Sequence, residues 1–221
     1  FFPNVRPIPA MRARVRIMQG RESEALAWAR GRGLGVDDDL AYLTEYEHIT
    51  LAQALVAQGL RNRDDAGLAD TALSNTALAD AARLLARLRV AAEMGGRTGS
   101  VIEILVAESL AQQASGDPSA ALVTLRRAVT LARPEGYVRT LANVGEPLVG
   151  PLNALAKTLS KDATLAGYVR QLLAAIGGAG DGPLSDLPLS GRRRDDSAPG
   201  AGQDHNHPLI EPLSARELDV L

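Results

Sequence analysis

The stretch from Thr98 to Glu146 constrains the fold of this chain more than any other part of the sequence. Its apolar residues recur at alternating steps of three and four, which places them on one face of an α-helix. Gly116-Asp117-Pro118 divides the stretch, since Asp117 is suited to cap a helix and Pro118 to occupy its first turn. The pattern predicts two packed helices, which is the unit of a helical-repeat protein. The apolar positions are Ile102, Leu105, Val106 and Leu110, then Ala121, Leu125, Ala128 and Ala132.

Further helices are predicted on both sides of this pair. We expect Gly59 to end one long helix and the polar residues Arg61 to Asp70 to form a loop. The acidic triplet at residues 37–39 is predicted to lie at a helix N-terminus, where the helix dipole favours negative charge. The fold class is therefore all-α. The predicted helices are Ile8–Met18, Glu24–Arg30, Leu40–Gln58, Ala72–Met94, Tyr137–Leu141, Pro147–Leu159 and Leu165–Ile176.

Turn glycines suggest an internal repeat. Gly20, Gly59 and Gly116 are interpreted as turns, separated by 39 (59 − 20) and 57 (116 − 59) residues. Tetratricopeptide repeats have a period of about 34 residues and related arrays of about 40–47. We expect a tetratricopeptide-like array of helical hairpins, an α-solenoid, over residues 8–176, with the polar loop after Gly59 absorbing the longer gap. A plain helical bundle remains an alternative.

Composition excludes several classes of function. The formal net charge is -2, from 24 Lys and Arg against 26 Asp and Glu, so the chain as a whole lacks the basic footprint of a nucleic-acid or anionic-membrane binder. Absence of cysteine excludes disulfides and thiolate metal sites, and no apolar run approaches the roughly 20 residues of a membrane span. We expect a cytoplasmic protein with no membrane association. Both ends resemble the cut edges of a longer protein.

The last part of the chain differs in composition. Residues 177–212 hold seven glycines and five prolines, which predicts a flexible linker. Its Arg192-Arg193-Arg194 run is followed by Asp195-Asp196, so we interpret it as solvated linker. Residues 213–221 become amphipathic again and begin with a Ser214 and Glu217 capping box, which predicts the start of a helix.

No catalytic, cofactor or metal site is predicted. His48 has no second metal ligand at i+3 or i+4, and His205 and His207 form only a weak pair in the linker. Trp28 is interpreted as packing. With no cysteine and no nucleophile motif, an enzyme is the least favoured reading. Tyr42, Tyr46 and Arg97 are the candidates for a ligand-binding surface, although each also fits an ordinary surface or core position, so the binding residues stay unknown.

Two stretches carry a resemblance to a known family. Residues 213–221, LSARELDVL, resemble the opening of the LuxR-type helix-turn-helix domain, with Asp219 where glutamate is usual. The second stretch begins at residues 96–105, continues at Gly116-Asp117 and Ala120-Ala121-Leu122, and ends at residues 134–139, PEGYVR. It is similar to the tetratricopeptide-like region of large ATP-binding, maltose-operon-activator-like LuxR regulators. The acidic segment usual before a later proline is reduced here to Gly145, Glu146 and Pro147.

The resemblance implies a bacterial-type transcriptional regulator. In that family an N-terminal nucleotide-binding domain precedes a helical sensor array, and a DNA-binding domain follows it. The implied partner is a small-molecule inducer or a regulatory protein, and an oligomer is one possible state of the full-length protein. This chain has no phosphate-loop motif, so ATP is implied only for a preceding domain, and DNA only for a helix-turn-helix beyond residue 221. A generic protein-scaffolding repeat domain is the alternative.

Overall fold

The computed structural model describes residues 5–64 and 68–178. Over these residues the chain forms α-helices and short 3-10 turns, with no β-strand, which confirms the all-α prediction. The 3-10 turns are Tyr42–Thr44 and Glu146–Leu148. The helices are α1 (Ile8–Met18), α2 (Glu22–Gly31), α3 (Glu45–Asp64), α4 (Leu68–Met94), α5 (Thr98–Ala114), α6 (Pro118–Ala132), α7 (Val138–Ala142), α8 (Val149–Thr158) and α9 (Ala163–Gly178).

Successive helices pair as antiparallel neighbours. Helix α1 packs on α2, α3 on α4, and α5 on α6, so these six helices make three hairpins. The second helix of each hairpin also packs on the first helix of the next, since α2 contacts α3 and α4 contacts α5. The first helices α1, α3 and α5 lie side by side. This is the stacking of a helical-repeat array, in which each hairpin buries its apolar side against its neighbours.

The helix pair predicted between Thr98 and Glu146 is confirmed as α5 and α6. The Asp117 carboxylate accepts a hydrogen bond of 2.9 Å from the Ala120 amide, and Pro118 occupies the first position of α6. Proline loses nothing there, because the first amides of a helix have no partner within it. All eight apolar residues that predicted the pair are buried.

Helix α4 supplies the centre of the core. Leu84, Leu85 and Leu88 are fully buried, and α4 contacts both α3 and α5. A helix with two packed sides needs a wide apolar stripe. The remaining helices α7, α8 and α9 pack against the end of the array formed by α5 and α6.

The turns inside the first and third hairpins share one geometry. Gly20 and Gly116 have φ angles of 71° and 88°, a region that glycine adopts without steric cost. In each turn the amide after the glycine donates to the carbonyl five residues earlier: Arg21 to Arg16 at 2.8 Å, and Asp117 to Gln112 at 3.0 Å. These bonds satisfy the last carbonyl groups of the first helix and reverse the chain.

The middle hairpin corrects the predicted loop. Helix α3 continues through Gly59 to Asp64, and α4 begins at Leu68, so the loop prediction is wrong for residues 61–64 and 68–70. A Cβ atom on Gly59 would lie 2.5 Å from Leu78 Cγ, and the Ser74 hydroxyl donates to the Gly59 carbonyl at 2.6 Å. Gly59 therefore permits close packing of α3 on α4 and makes no turn. The longer spacing reflects longer helices, of 20 and 27 residues.

The acidic triplet also lies elsewhere than predicted. Helix α3 begins at Glu45, so residues 37–39 are not at its N-terminus. The Asp38 carboxylate instead accepts a 2.8 Å hydrogen bond from the Gly35 amide and lies 3.2 Å from His48 Nε2. The first contact lies within the segment between α2 and α3, and the second joins this segment to the first turns of α3. At the other end of the array, α9 includes Gly177 and Gly178, which the linker prediction contained; the rest of the linker and residues 213–221 lie outside the described residues.

Candidate functional site

The first turns of α3 bury an unusual number of polar side chains. Glu45, Glu47, His48 and Thr50 are exposed by 7%, 3%, 2% and 0%. Helix α3 contacts α1, α2, α4 and α5, so these side chains meet other helices on several sides. Buried charged groups are costly unless they are paired and hydrogen-bonded. The residues that pair with these side chains therefore hold the neighbouring helices in position against α3.

One group of side chains joins the first helices of all three hairpins, and we call it the Tyr46 cluster. The Arg14 guanidinium from α1 lies 3.7 Å from the centre of the Tyr46 ring on α3. It donates to the Glu103 carboxylate on α5 at 2.7 Å and to the Thr50 hydroxyl at 2.9 Å. The Arg6 guanidinium approaches the same ring at 5.7 Å. Cation–π contact and a charge-assisted hydrogen bond thus act on one arginine.

A second group, the Arg97 cluster, lies where the α4–α5 turn meets the start of α3. Arg97 Nε and Nη2 donate to Glu45 Oε2 at 2.8 and 2.5 Å, and Nη2 also donates to the Ala91 carbonyl at 2.7 Å. The Ser100 hydroxyl donates to the other Glu45 oxygen at 2.7 Å. The Tyr42 ring lies 5.6 Å from the guanidinium carbon, and its side chain is exposed. The hydrogen bonds to Glu45 raise the pKa of Arg97 above its ordinary value.

The two clusters define one surface, the first-helix face, which runs across α1, α3 and α5. All three sequence candidates lie on it. The structure brings Tyr42 and Arg97 together, while Tyr46 belongs to the neighbouring cluster, four residues further along the chain from Tyr42. The partners that sequence reasoning missed are Arg14, Glu45, Thr50, Ser100 and Glu103.

A signal for the missed partners was present in the sequence. Residues 45–50 read EYEHIT, and charged or polar positions in this run point to every side of a helix. A helix that packs on several neighbours with such a run must bury some of these groups. Arg14 likewise lies close to the buried side of α1, which carries Ala10 and Ala13. The run indicates that ion pairs exist, but it does not specify which arginine reaches which glutamate.

Both ring nitrogens of His48 have an oxygen atom of a nearby residue as partner. Its Nδ1 lies 3.0 Å from the Thr44 carbonyl and its Nε2 lies 3.2 Å from the Asp38 carboxylate. Arg87 reinforces the same segment by donating to the Val36 and Asp38 carbonyls, each at 2.6 Å. Within residues 5–64 and 68–178, no group of three or more His, Asp or Glu side chains is placed to hold a metal ion. His205 and His207 lie outside those residues.

A half-open groove of about 300 Å³ lies between α2, α3 and the segment that joins them. Its walls are mostly aliphatic, and Ser23, Arg30 and Gln58 supply polar groups. Trp28 is half-buried and packs against the hydrophobic core, as interpreted from the sequence. The groove and the first-helix face are built from different side chains.

Antiparallel helix pairs stack on one another, and the first helices of successive pairs lie side by side. This arrangement defines a helical-repeat protein of the tetratricopeptide kind. A family model described as the MalT-like TPR region matches residues 1–158 of the sequence. The match covers more than half of the chain, and the chain therefore belongs to the MalT-like TPR family. No curated protein and no solved structure matches the sequence significantly. In the part of the chain that the structure describes, no helix is both long and apolar enough to cross a membrane.

Proposed function

We propose that this chain is the effector-binding or protein-interaction region of a LuxR-type transcriptional regulator. In this proposal it binds a small-molecule inducer or a regulatory protein in the cytoplasm and passes that event to a DNA-binding domain. It carries no catalytic activity and holds no cofactor of its own. Membership of the MalT-like TPR family supports an interaction role, and the LSARELDVL resemblance at residues 213–221 supports the connection to a LuxR-type domain.

The Tyr46 cluster is the observation that carries the proposal. Arg14, Tyr46 and Glu103 come from three different hairpins and meet within hydrogen-bond or stacking distance. Nη2 of Arg14 is buried and has no hydrogen-bond partner among the described residues. Because the three residues belong to three hairpins, a ligand that contacts this cluster contacts three hairpins at once.

Such a ligand would act by shifting a population. The stacking of successive hairpins sets the geometry of the array, and each interface between hairpins is a place where that geometry can change. A ligand that binds one arrangement of α1, α3 and α5 more tightly than another shifts the array toward it. The neighbouring domain then responds to the position of the array and needs no contact with the ligand.

A thermal-shift screen followed by calorimetry tests the proposal. The whole chain is screened against a metabolite collection, and each ligand that raises the melting temperature is measured again on a double variant, Arg6→Ala with Tyr42→Ala. Both side chains are exposed, so the variant should fold. Val123→Ala on α6, where Val123 is 72% exposed, is the matched control.

We expect a ligand whose affinity falls at least about tenfold, or ~1.4 kcal/mol, in the double variant and stays unchanged in the control. A ligand that binds the double variant as tightly as the wild type would place the site elsewhere. No ligand from the collection, together with no partner in pull-downs from the source cells, would argue against sensing.

Transcript profiling with the double variant in the chromosomal gene then tests the regulatory role. If the chain belongs to a regulator, the transcripts that the regulator controls must lose their response to the ligand in this variant.

A further inference from the structure

Helix α1 exposes an apolar stripe on the side that faces away from the array. Ile8, Met11, Val15 and Met18 are exposed by 62%, 48%, 50% and 59%. Their spacing of three, four and three residues places them on one side of the helix. Ala10 and Ala13, on the opposite side, are fully buried against the rest of the protein. Helix α1 thus has an apolar side inside the fold and a second one in solvent.

Arginines border this stripe. A shallow groove is lined by Ile8, Met11 and Val15 together with Arg12, Arg16, Gln19 and Arg21. Arg16 and Arg21 both contact Glu24, at 3.4 and 2.6 Å, whereas Arg12 is exposed and makes no ion pair with any described residue. In the part of the chain that the structure describes, the three arginines of the groove have a single carboxylate partner, Glu24, so the groove carries a net positive charge.

The stripe also continues the packing pattern of the array. Helix α3 contacts α1, α2, α4 and α5, and α5 contacts α3, α4, α6 and α7. Among the described residues, α1 has only α2 and α3 as its main neighbours. Side chains at alternating spacings of three and four are the ridges by which one helix packs on another.

We propose that this α1 stripe, with Arg12, Arg16 and Arg21 along its edge, is a docking surface for one amphipathic helix of a partner protein. The partner helix would present an apolar stripe flanked by aspartate or glutamate, which complements the arginines. The stripe spans eleven residues, from Ile8 to Met18, or about 15 Å, which corresponds to about three turns of a partner helix. Methionine at positions 11 and 18 suits a surface that adapts to a partner side chain.

The observations favour a protein helix over an anionic membrane. Helices that bind membranes commonly insert large aromatic or leucine side chains along a broad apolar face. The α1 stripe holds two methionines, an isoleucine and a valine, and it is narrow. This surface is separate from the first-helix face, so the proposal does not depend on the effector-binding role.

Two synthetic helical peptides with the same leucine stripe test the proposal. One carries glutamate and the other lysine at the flanking positions, and their binding to the whole chain is measured by fluorescence anisotropy at low and at high salt. The protein variants are Arg12→Glu and the double variant Met11→Ser with Val15→Ser. Val123→Ser and Arg126→Glu on α6 are the matched controls, since both residues are exposed. Circular dichroism checks that every variant retains its helix content.

We expect the glutamate peptide to bind the wild type about tenfold more tightly than the lysine peptide at low salt, with a smaller difference at high salt. Arg12→Glu should remove or reverse this preference, and the double serine variant should weaken the glutamate peptide about tenfold. The controls should change neither affinity. Equal binding of the two peptides, or unchanged binding by the double serine variant, would overturn the proposal. Binding to phosphatidylserine vesicles without binding to the glutamate peptide would assign the stripe to membranes and would also overturn it.

Discussion

Arginine side chains hold the helices of this array together. Among the described residues every ion pair except the one at His48 uses an arginine, and the whole sequence contains only two lysines, Lys157 and Lys161. The planar guanidinium donates in several directions at once, which a lysine ammonium on its flexible stem does less well. Arg14 uses this property by contacting Tyr46, Thr50 and Glu103 together.

The Arg14–Glu103 pair should contribute measurably to stability. Its side chains are exposed by 18% and 17%, which lies between a surface pair and a buried one. We expect Arg14→Met to lower the free energy of unfolding by about 2 kcal/mol, because Glu103 then loses its partner in a partly dry site. Urea denaturation of a double-mutant cycle with Glu103→Gln should give a coupling energy of about 1 kcal/mol. Additivity within about 0.3 kcal/mol would show that the pair makes no net contribution.

Asp38 should make stability depend on pH in the acid range. The Gly35 amide and then the His48 ring hold the pKa of Asp38 below its ordinary value of 3.8, with Arg87 acting in the same direction. The unfolded chain takes up the proton first, so the contribution of Asp38 is complete above about pH 4 and is lost as the pH falls through its lowered pKa.

Asp38→Asn tests this dependence. The variant should melt at a lower temperature than the wild type at pH 7, and the difference should shrink as the pH falls below 3.8. Asp39→Asn, at an exposed neighbouring position, is the control and should melt like the wild type throughout. Thermal melts followed by circular dichroism measure both. A difference between Asp38→Asn and wild type that persists at the lowest pH would contradict the assignment.

Gly59 shows how one residue sets the distance between two helices. Helices α3 and α4 cross closely at this glycine, where Leu78 fills the space that a side chain would need. Leu78 is almost completely buried and has little freedom to move away. Close packing of this kind is sensitive to a single added methyl group.

A matched pair of alanine substitutions tests this packing. We expect Gly59→Ala to destabilise the protein by about 1–3 kcal/mol, despite the better helix propensity of alanine, because its Cβ would overlap Leu78. Gly167→Ala in the interior of α9 should instead stabilise by about 0.5–1 kcal/mol, since its Cβ would meet only a distant atom of Arg170 at 3.9 Å. Urea denaturation measures both. Equal effects of the two substitutions would mean that α3 and α4 do not approach as closely as described.

The sequence predicted most of the helices because each buries a stripe with helical periodicity. Helices α5 and α6 show this best, since their apolar positions, cap and proline all agree. Gly59 was assigned wrongly because a glycine that ends a helix and one that admits a neighbouring helix look the same in one sequence. Residues 61–64 were assigned to a loop because their composition is polar, whereas they form the last turn of α3, where Arg61 donates to the Gly20 carbonyl.

The candidate site was predictable only in part. Tyr46 lies on α3, whereas Tyr42 lies in the 3-10 turn before α3 and Arg97 in the turn before α5. Their partners lie far away in the sequence, since 89 residues separate Arg14 from Glu103 and 52 separate Glu45 from Arg97. Periodicity describes one helix at a time, so it does not reveal pairings that depend on how three hairpins stack.

At the scale of the whole array, the helices are joined by an apolar core and by a row of polar contacts, here called the seam. The core passes through α3, α4, α5 and α6, and the seam joins α1, α3 and α5 along the first-helix face. Contacts at the seam are directional, so a change there alters how hairpins are oriented. Contacts in the core are mostly aliphatic and hold the hairpins together. The proposed response to an effector depends on this division of roles.

Hydrogen–deuterium exchange on the whole chain, with and without a ligand or partner from the screen, tests the central claim most directly. The first-helix face should gain protection, so exchange should slow in Tyr42–Thr50 and Arg97–Glu103, with α6 and α9 unchanged. Slower exchange confined to α6 or α9, with these two segments unaffected, would contradict the claim.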